Sequence, residues 1–138
     1  MKTIKSILLV VISVMACSAA FAARTAMMET FDNIPVATLT GTELKLEQVK
    51  KAILAGAQKR DWIAKETSPK TITAGIFVRG QFRVTVEIVY SAEQFSVKYK
   101  DSENLNYEST AKGAKIHRSY NKWVQALVGS IRNELSAL

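Results

Sequence analysis

The apolar residues of this chain recur with two periods, and the period changes along it. Between 45 and 60, Leu46, Val49, Ile53 and Ala57 recur at spacings of three and four, with Lys45, Lys50, Lys51, Lys59 and Arg60 mostly off that stripe. This predicts an amphipathic helix that must lay its stripe on another element. Gly56 inside it costs about 1 kcal/mol relative to Ala, and a glycine there lets a helix lie close to a sheet. The period then becomes two. Residues 62–66 read as a strand and Thr67-Ser68-Pro69-Lys70 as a turn. Over 71–79, Ile72, Ala74, Ile76 and Val78 alternate with Thr71, Thr73, Phe77 and Arg79. After a turn at Arg79-Gly80-Gln81, Phe82, Val84, Val86, Ile88 and Tyr90 alternate with Arg83, Thr85, Glu87 and Val89, the strongest strand pattern in the chain. A hairpin loop at 91–94 leads to Phe95, Val97 and Tyr99 alternating with Ser96, Lys98 and Lys100. Helical spacing returns with Tyr120, Trp123, Val124, Leu127, Ile131 and Leu135, in a helix that begins between His117 and Asn121.

Other segments carry weaker patterns. Residues 23–35 show no period and read as a flexible N-terminal arm. Residues 34–39 form a short edge strand, where Pro35 is tolerated. Residues 101–115 are polar, contain Gly113, and read as a long loop pinned by Leu105 and Tyr107. The economical way to bury every stripe is a two-layer α+β sandwich over 36–138: an antiparallel sheet of about four strands with both helices on one face. Its other face carries Arg83, Thr85, Glu87, Lys98 and Lys100 and is open to solvent. Trp62, Tyr120 and Trp123 belong to the core.

The first residues change the picture from fold to compartment. A short basic start with Lys2 and Lys5, an apolar core over 7–15 and Ala20-Phe21-Ala22 follow the order of a secretory signal peptide covering 1–22. Its apolar core is shorter than the roughly 20 residues that span a bilayer. Cleavage after Ala22 leaves about 116 residues and lowers the formal charge from +7 to +5. That product is expected in the periplasm or outside the cell. The single cysteine allows an alternative: Val14-Met15-Ala16-Cys17 resembles a lipobox, in which Cys17 becomes a lipidated N-terminus facing the periplasm. Either way no disulfide forms within the chain, and a membrane is reached only through that anchor.

Candidate chemistry is sparse. His117 is the only histidine and the mature chain lacks cysteine, so a Cys/His metal site is excluded. The spacing of Asp101, Glu103 and Glu108 fits no EF-hand, and His117 reads as flanking the last helix. Ser102, Asp101 and His117 supply the residue types of a hydrolase triad, but nothing resembling G-x-S-x-G surrounds Ser102. No glycine-rich phosphate loop is present, so no cofactor is expected. Basic and aromatic residues do interleave over 98–122. Lys98, Lys100, Lys112, Lys115, Arg118 and Lys122 alternate with Tyr99, Tyr107 and Tyr120. Such a surface suits an anionic lipid head group or polysaccharide. Export argues against nucleic acid.

Three stretches carry a resemblance: Arg79 with the strand that follows it, the run from Tyr99-Lys100-Asp101-Ser102-Glu103-Asn104-Leu105 to Asn106-Tyr107, and Ile116-His117-Arg118-Ser119-Tyr120-Asn121-Lys122-Trp123-Val124. Over residues 36–138 the chain resembles an uncharacterised group of small Gram-negative exported proteins, periplasmic or lipoprotein, of unknown function. The resemblance implies envelope location and fold, with no activity to carry over. The expectation is a non-catalytic cell-envelope protein. It would bind an anionic envelope component or a partner protein through the open sheet face and the 101–115 loop. The expected residues are Arg83, Lys98, Lys100, Lys112, Lys115 and Arg118 for charge, with Tyr99 and Tyr107 for contact area. The alternative is a structural role through strand-edge pairing, and a small hydrolase is the remote one.

Overall fold

The computed structural model describes residues 24–138; the leader and Cys17 lie outside them. The elements run β1 (Thr25–Met27), β2 (Phe31–Pro35), α1 (Leu46–Lys59), β3 (Ile63–Ser68), β4 (Thr71–Val78), β5 (Phe82–Tyr90), β6 (Gln94–Glu103), β7 (Glu108–Thr110), β8 (Gly113–His117) and α2 (Ser119–Ser136). The class is α+β, with two helices and two antiparallel sheets. Five strands join in the order β2-β6-β5-β4-β3, and a smaller sheet has the order β1-β8-β7.

The alternating strands β4, β5 and β6 pair as their patterns require. Ile72 faces Ile88, which faces Val97 in turn, and Ala74 faces Val86, so one side of the sheet is continuously apolar. The core joins these residues to Val49, Ile53 and Ala57 of α1 and to Tyr120, Val124, Leu127, Ile131 and Leu135 of α2. Each fully buried Val, Leu or Ile contributes about 1.5–3 kcal/mol.

Helix α1 ends through a specific cap. Asp61 sits at φ 64°, the Trp62 N–H donates to the Ala57 carbonyl at 3.0 Å, and the Asp61 N–H donates to Gln58 at 3.1 Å. This is a Schellman motif with an aspartate at the left-handed position, and it delivers Trp62 straight into the core. Gly56 does allow a close approach, but to α2 rather than to the sheet. A Cβ there would stand 2.7 Å from the Ile131 Cα. Beside it the Ser130 hydroxyl donates to the Gly56 carbonyl at 2.8 Å, in the last helical turn where carbonyls lack an intrahelical donor.

Three expectations are corrected. The five-stranded sheet replaces one of about four strands. Residues 23–35 are not an arm without regular structure, since β1 and β2 lie within them, and β2 precedes the strand expected at 34–39. Asn33 at φ 53° shifts the register between Phe31 and Ile34, which hides the period of two. The 101–115 segment is not a long loop. Strand β6 continues through Glu103, and β7 and β8 form a hairpin. Lys100 is an extra residue opposite the Thr85/Val86 step, so a β-bulge inverts the alternation there. Asn104 and Asn106, at φ 65° and 52°, then turn the chain and leave Leu105 buried between them.

The N-terminal strands are fastened to α2 at the link between them, chiefly by Asn121, with Gln125 donating to the Glu29 carboxylate at 2.7 Å. Asn121 donates from Nδ2 to the Met27 carbonyl at 3.0 Å and accepts the Glu29 N–H at 2.9 Å. A buried amide satisfied on both sides fixes the passage from the small sheet to the large one.

Candidate functional site

On the open face of the large sheet, the cations of β5 and β6 stand among carboxylates. Its rows place Arg83 opposite Glu103, Thr85 opposite Asp101, and Glu87 opposite Lys98. The Arg83 Nε lies 3.9 Å from Glu103, and its guanidinium carbon is 5.2 Å from the centre of the Phe77 ring. The Lys100 Nζ reaches Glu87 at 3.2 Å. Of the three cations expected on this face, only Lys98 makes no ion pair among the described residues. Cross-strand pairing explains this, because residues distant in sequence set the charge pattern of a sheet face.

Tyr99 and Tyr107 meet. Their rings stack at 4.4 Å with 9° between the planes, and Tyr99 meets Tyr120 edge-on at 5.8 Å. Tyr99 faces the helices rather than the open sheet face, and its hydroxyl is 2.7 Å from the Ser102 Oγ. Burial raises the Tyr99 hydroxyl pKa, partly offset by the Ser102 bond. Ser102 is thus engaged with tyrosine. Asp101 pairs with Thr85 on the opposite face, since neighbouring strand residues alternate. His117 is engaged elsewhere, so the serine, aspartate and histidine do not make the mutual contacts of a triad. Among the described residues no three acidic or imidazole groups converge as metal ligands.

Lys112, Lys115 and Arg118 fall on the β7–β8 hairpin and the start of α2. None makes an ion pair among the described residues, although Lys115 is registered opposite Glu108. Helix α2 has no acidic residue in its first turn, where acids normally complement the helix dipole. Lys122 stands one turn after Arg118 instead. Arg24, just before β1, is a cation that sequence reasoning missed. The Arg118 N–H donates to the Arg24 carbonyl at 2.9 Å, continuing the register in which Thr25 faces His117. No local signal links Arg24 to Arg118, because they meet only through pairing of the two ends of the chain.

His117 sits within this basic corner. Its Nδ1 accepts the Ser119 N–H at 3.2 Å, and its ring lies 5.7 Å from Phe82, which in turn lies 6.1 Å from Trp123. Burial lowers the imidazole pKa first, and the neighbouring charges of Arg118 and Arg24 lower it further.

The sheet edges are guarded. Strand β2 carries Asp32, a register shift and Pro35; β3 has Lys65 and a shift between Glu66 and Ser68; β7 has three residues. Charge, proline, bulges and short length are how proteins blunt edges against pairing with other chains. Among the described residues no helix is long and apolar enough to cross a membrane. Compared with known families, curated proteins and solved structures, the chain matches none.

Proposed function

We propose that this chain is a non-catalytic cell-envelope protein of the periplasmic side. In this reading it binds an anionic envelope component through the basic surface of the β7–β8 hairpin and the start of α2. The observation that carries the reading is the contrast between two sets of cations. Arg83 and Lys100 are paired with Glu103 and Glu87, whereas Lys112, Lys115 and Arg118 make no ion pair among the described residues. Tyr107, exposed and stacked on Tyr99, supplies contact area beside that surface. The helices layered over one face of the sheet leave the other face as scaffold. Strand-edge assembly is the less favoured reading, because each free edge carries a feature that opposes pairing.

Export rests on the leader over 1–22, and the lipidated form on Cys17 remains its alternative. The test is co-sedimentation with phosphatidylglycerol vesicles over a salt series. Binding should fall steeply as salt rises. Charge reversal of Lys112, Lys115 and Arg118 to Glu should abolish binding, while reversal of Lys98 and Lys100 leaves most of it. Equal losses from both sets would overturn this placement.

A further inference from the structure

The open face of the large sheet has a glycine at its middle that the single chain does not require. Gly75 lies inside β4 on that face, with Ile63 opposite it on β3 and Thr85 opposite it on β5. A Cβ at Gly75 would meet the Val84 carbonyl oxygen at 3.6 Å and the Thr85 Oγ1 at 4.0 Å, both ordinary contacts. A larger residue therefore fits, and glycine weakens the interior of a strand. A glycine of this kind marks a place where another backbone or a ligand approaches closely. Apolar side chains turned to water surround the hollow. Ile63 is 84% exposed, Phe77 56% and Val89 40%. They share one face of one sheet, whereas apolar surface residues that need no explanation are scattered singly.

The charges on this face stand in an order that matches itself. Three rows cross β4, β5 and β6. The first is Phe77, Arg83 and Glu103; the middle is Gly75, Thr85 and Asp101; the third is Thr73, Glu87 and Lys98. A two-fold axis along the middle row turns a second copy face to face with the first. It sets the first row of each copy over the third row of the other and keeps β5 over β5 and β6 over β6. Arg83 then meets the partner's Glu87, Glu103 meets the partner's Lys98, and Phe77 meets the partner's Thr73. Lys98, which makes no ion pair among the described residues, gains a carboxylate. The middle row meets itself, with glycine over glycine at the closest approach. Asp101 is the like-charged exception, exposed at the end of its row where salt screens it. Aligned sheets pack with strands within about 30° of each other, which preserves the match of rows near the axis.

We propose that the open face of the large sheet is the interface of a symmetric homodimer centred on Gly75. Ile63 and Phe77 supply its apolar contacts, and Arg83 with Glu87 and Glu103 with Lys98 pair between the copies. A closed two-fold dimer uses the same patch on both copies, so each pair forms twice. This contact is separate from the basic surface of the β7–β8 hairpin and does not rest on what that surface binds.

The experiment is sedimentation equilibrium of the full mature chain over a concentration series. The expected result is a reversible equilibrium between monomer and dimer. Ile63→Lys or Phe77→Lys should raise the dimer dissociation constant about tenfold or more; both positions are exposed, so the monomer should fold as before. Gly75→Val should move two measurements in opposite directions, with a higher unfolding midpoint in dilute solution and weaker association. The decisive arm uses charge. Arg83→Glu sets two carboxylates face to face across the axis, and Glu87→Arg sets two guanidinium groups, so each variant alone should associate poorly. An equimolar mixture of the two restores opposite charges at both contacts and should form a heterodimer. A chain that stays monomeric up to roughly 1 mM overturns the proposal and leaves the face to a different partner. A dimer that both lysine variants leave intact uses another surface and overturns it too. A mixture no more associated than its two components overturns the two-fold match.

Discussion

Gly56→Ala tests the helix–helix contact at its tightest point. The added methyl would lie 2.7 Å from the Ile131 Cα, 2.8 Å from its N and 2.9 Å from its Cγ1. Comfortable carbon contacts begin near 3.5 Å, so the helices must part by roughly 1 Å. Two of the three obstacles are backbone atoms, which no rotamer change relieves. Overpacking of this kind costs about 1–3 kcal/mol. Parting the helices also stretches the buried bond from Ser130 to the Gly56 carbonyl, worth about 1 kcal/mol. Against this, alanine is a better helix former than glycine by about 1 kcal/mol. The expected net effect is a destabilisation of about 1–3 kcal/mol. Urea unfolding followed by circular dichroism should show a lower midpoint with an unchanged slope. Ile131→Ala in the same chain should fail to rescue it, since of the three close contacts it removes only that to Cγ1. A Gly56→Ala variant as stable as the parent, or more stable, would refute the reasoning.

Gly129 is the counterexample in the other helix: a Cβ there meets nothing within 4 Å. Gly129→Ala should therefore raise stability by about 0.5–1 kcal/mol in the same assay. Asp61→Gly should add up to about 1 kcal/mol by relieving the left-handed backbone of the α1 cap, read from the midpoint of thermal unfolding. Asn121→Leu leaves the Met27 carbonyl and the Glu29 N–H without partners and should cost about 2–3 kcal/mol, with faster amide exchange at Glu29. Tyr120 is buried, and its hydroxyl pKa is held well above the usual tyrosine value of 10 by that burial and by Tyr99. The folded state keeps the Tyr120 proton where the unfolded state loses it. The contribution of this group is thus complete below pH 10 and lost as pH rises above it. Tyr120→Phe should flatten the decline of stability in that alkaline range, measured as unfolding midpoint against pH.

The parts legible in the sequence are those with an uninterrupted period. Strands β4 and β5 and the stripes of α1 and α2 are long and apolar on one side, so a simple count of spacing finds them. Strand β2 is hidden by Asn33, whose left-handed backbone inserts a shift between Phe31 and Ile34. The end of β6 is hidden by the bulge at Lys100. Strands β7 and β8 bury only Ile116 and leave nothing periodic to see. For the candidate site, residue type was readable but neutralisation was not. Lys100 and Arg83 look like Lys115 and Arg118 in a list of cations. Only the pairing of β5 with β6 shows that the first two face carboxylates. Arg24 was invisible because its relation to Arg118 exists only once β1 has docked.

That docking has a consequence for the order of assembly. Strand β1 pairs only with β8, β2 pairs only with β6, and the Leu39 N–H reaches the Ser136 carbonyl at 3.3 Å. The earliest described residues have their partners in the second half of the chain, some at its very end. A chain emerging from its N-terminus can assemble α1 and the β3–β6 meander from local contacts, which form quickly. Strand β2 needs only β6, whereas β1 must wait until β8 is made and Asn121 can hold it. Until β2 docks, the outer edge of β6 is uncovered, an opening for association with other chains. The described fold is thus closed by β1, whose only strand partner lies more than eighty residues away along the chain.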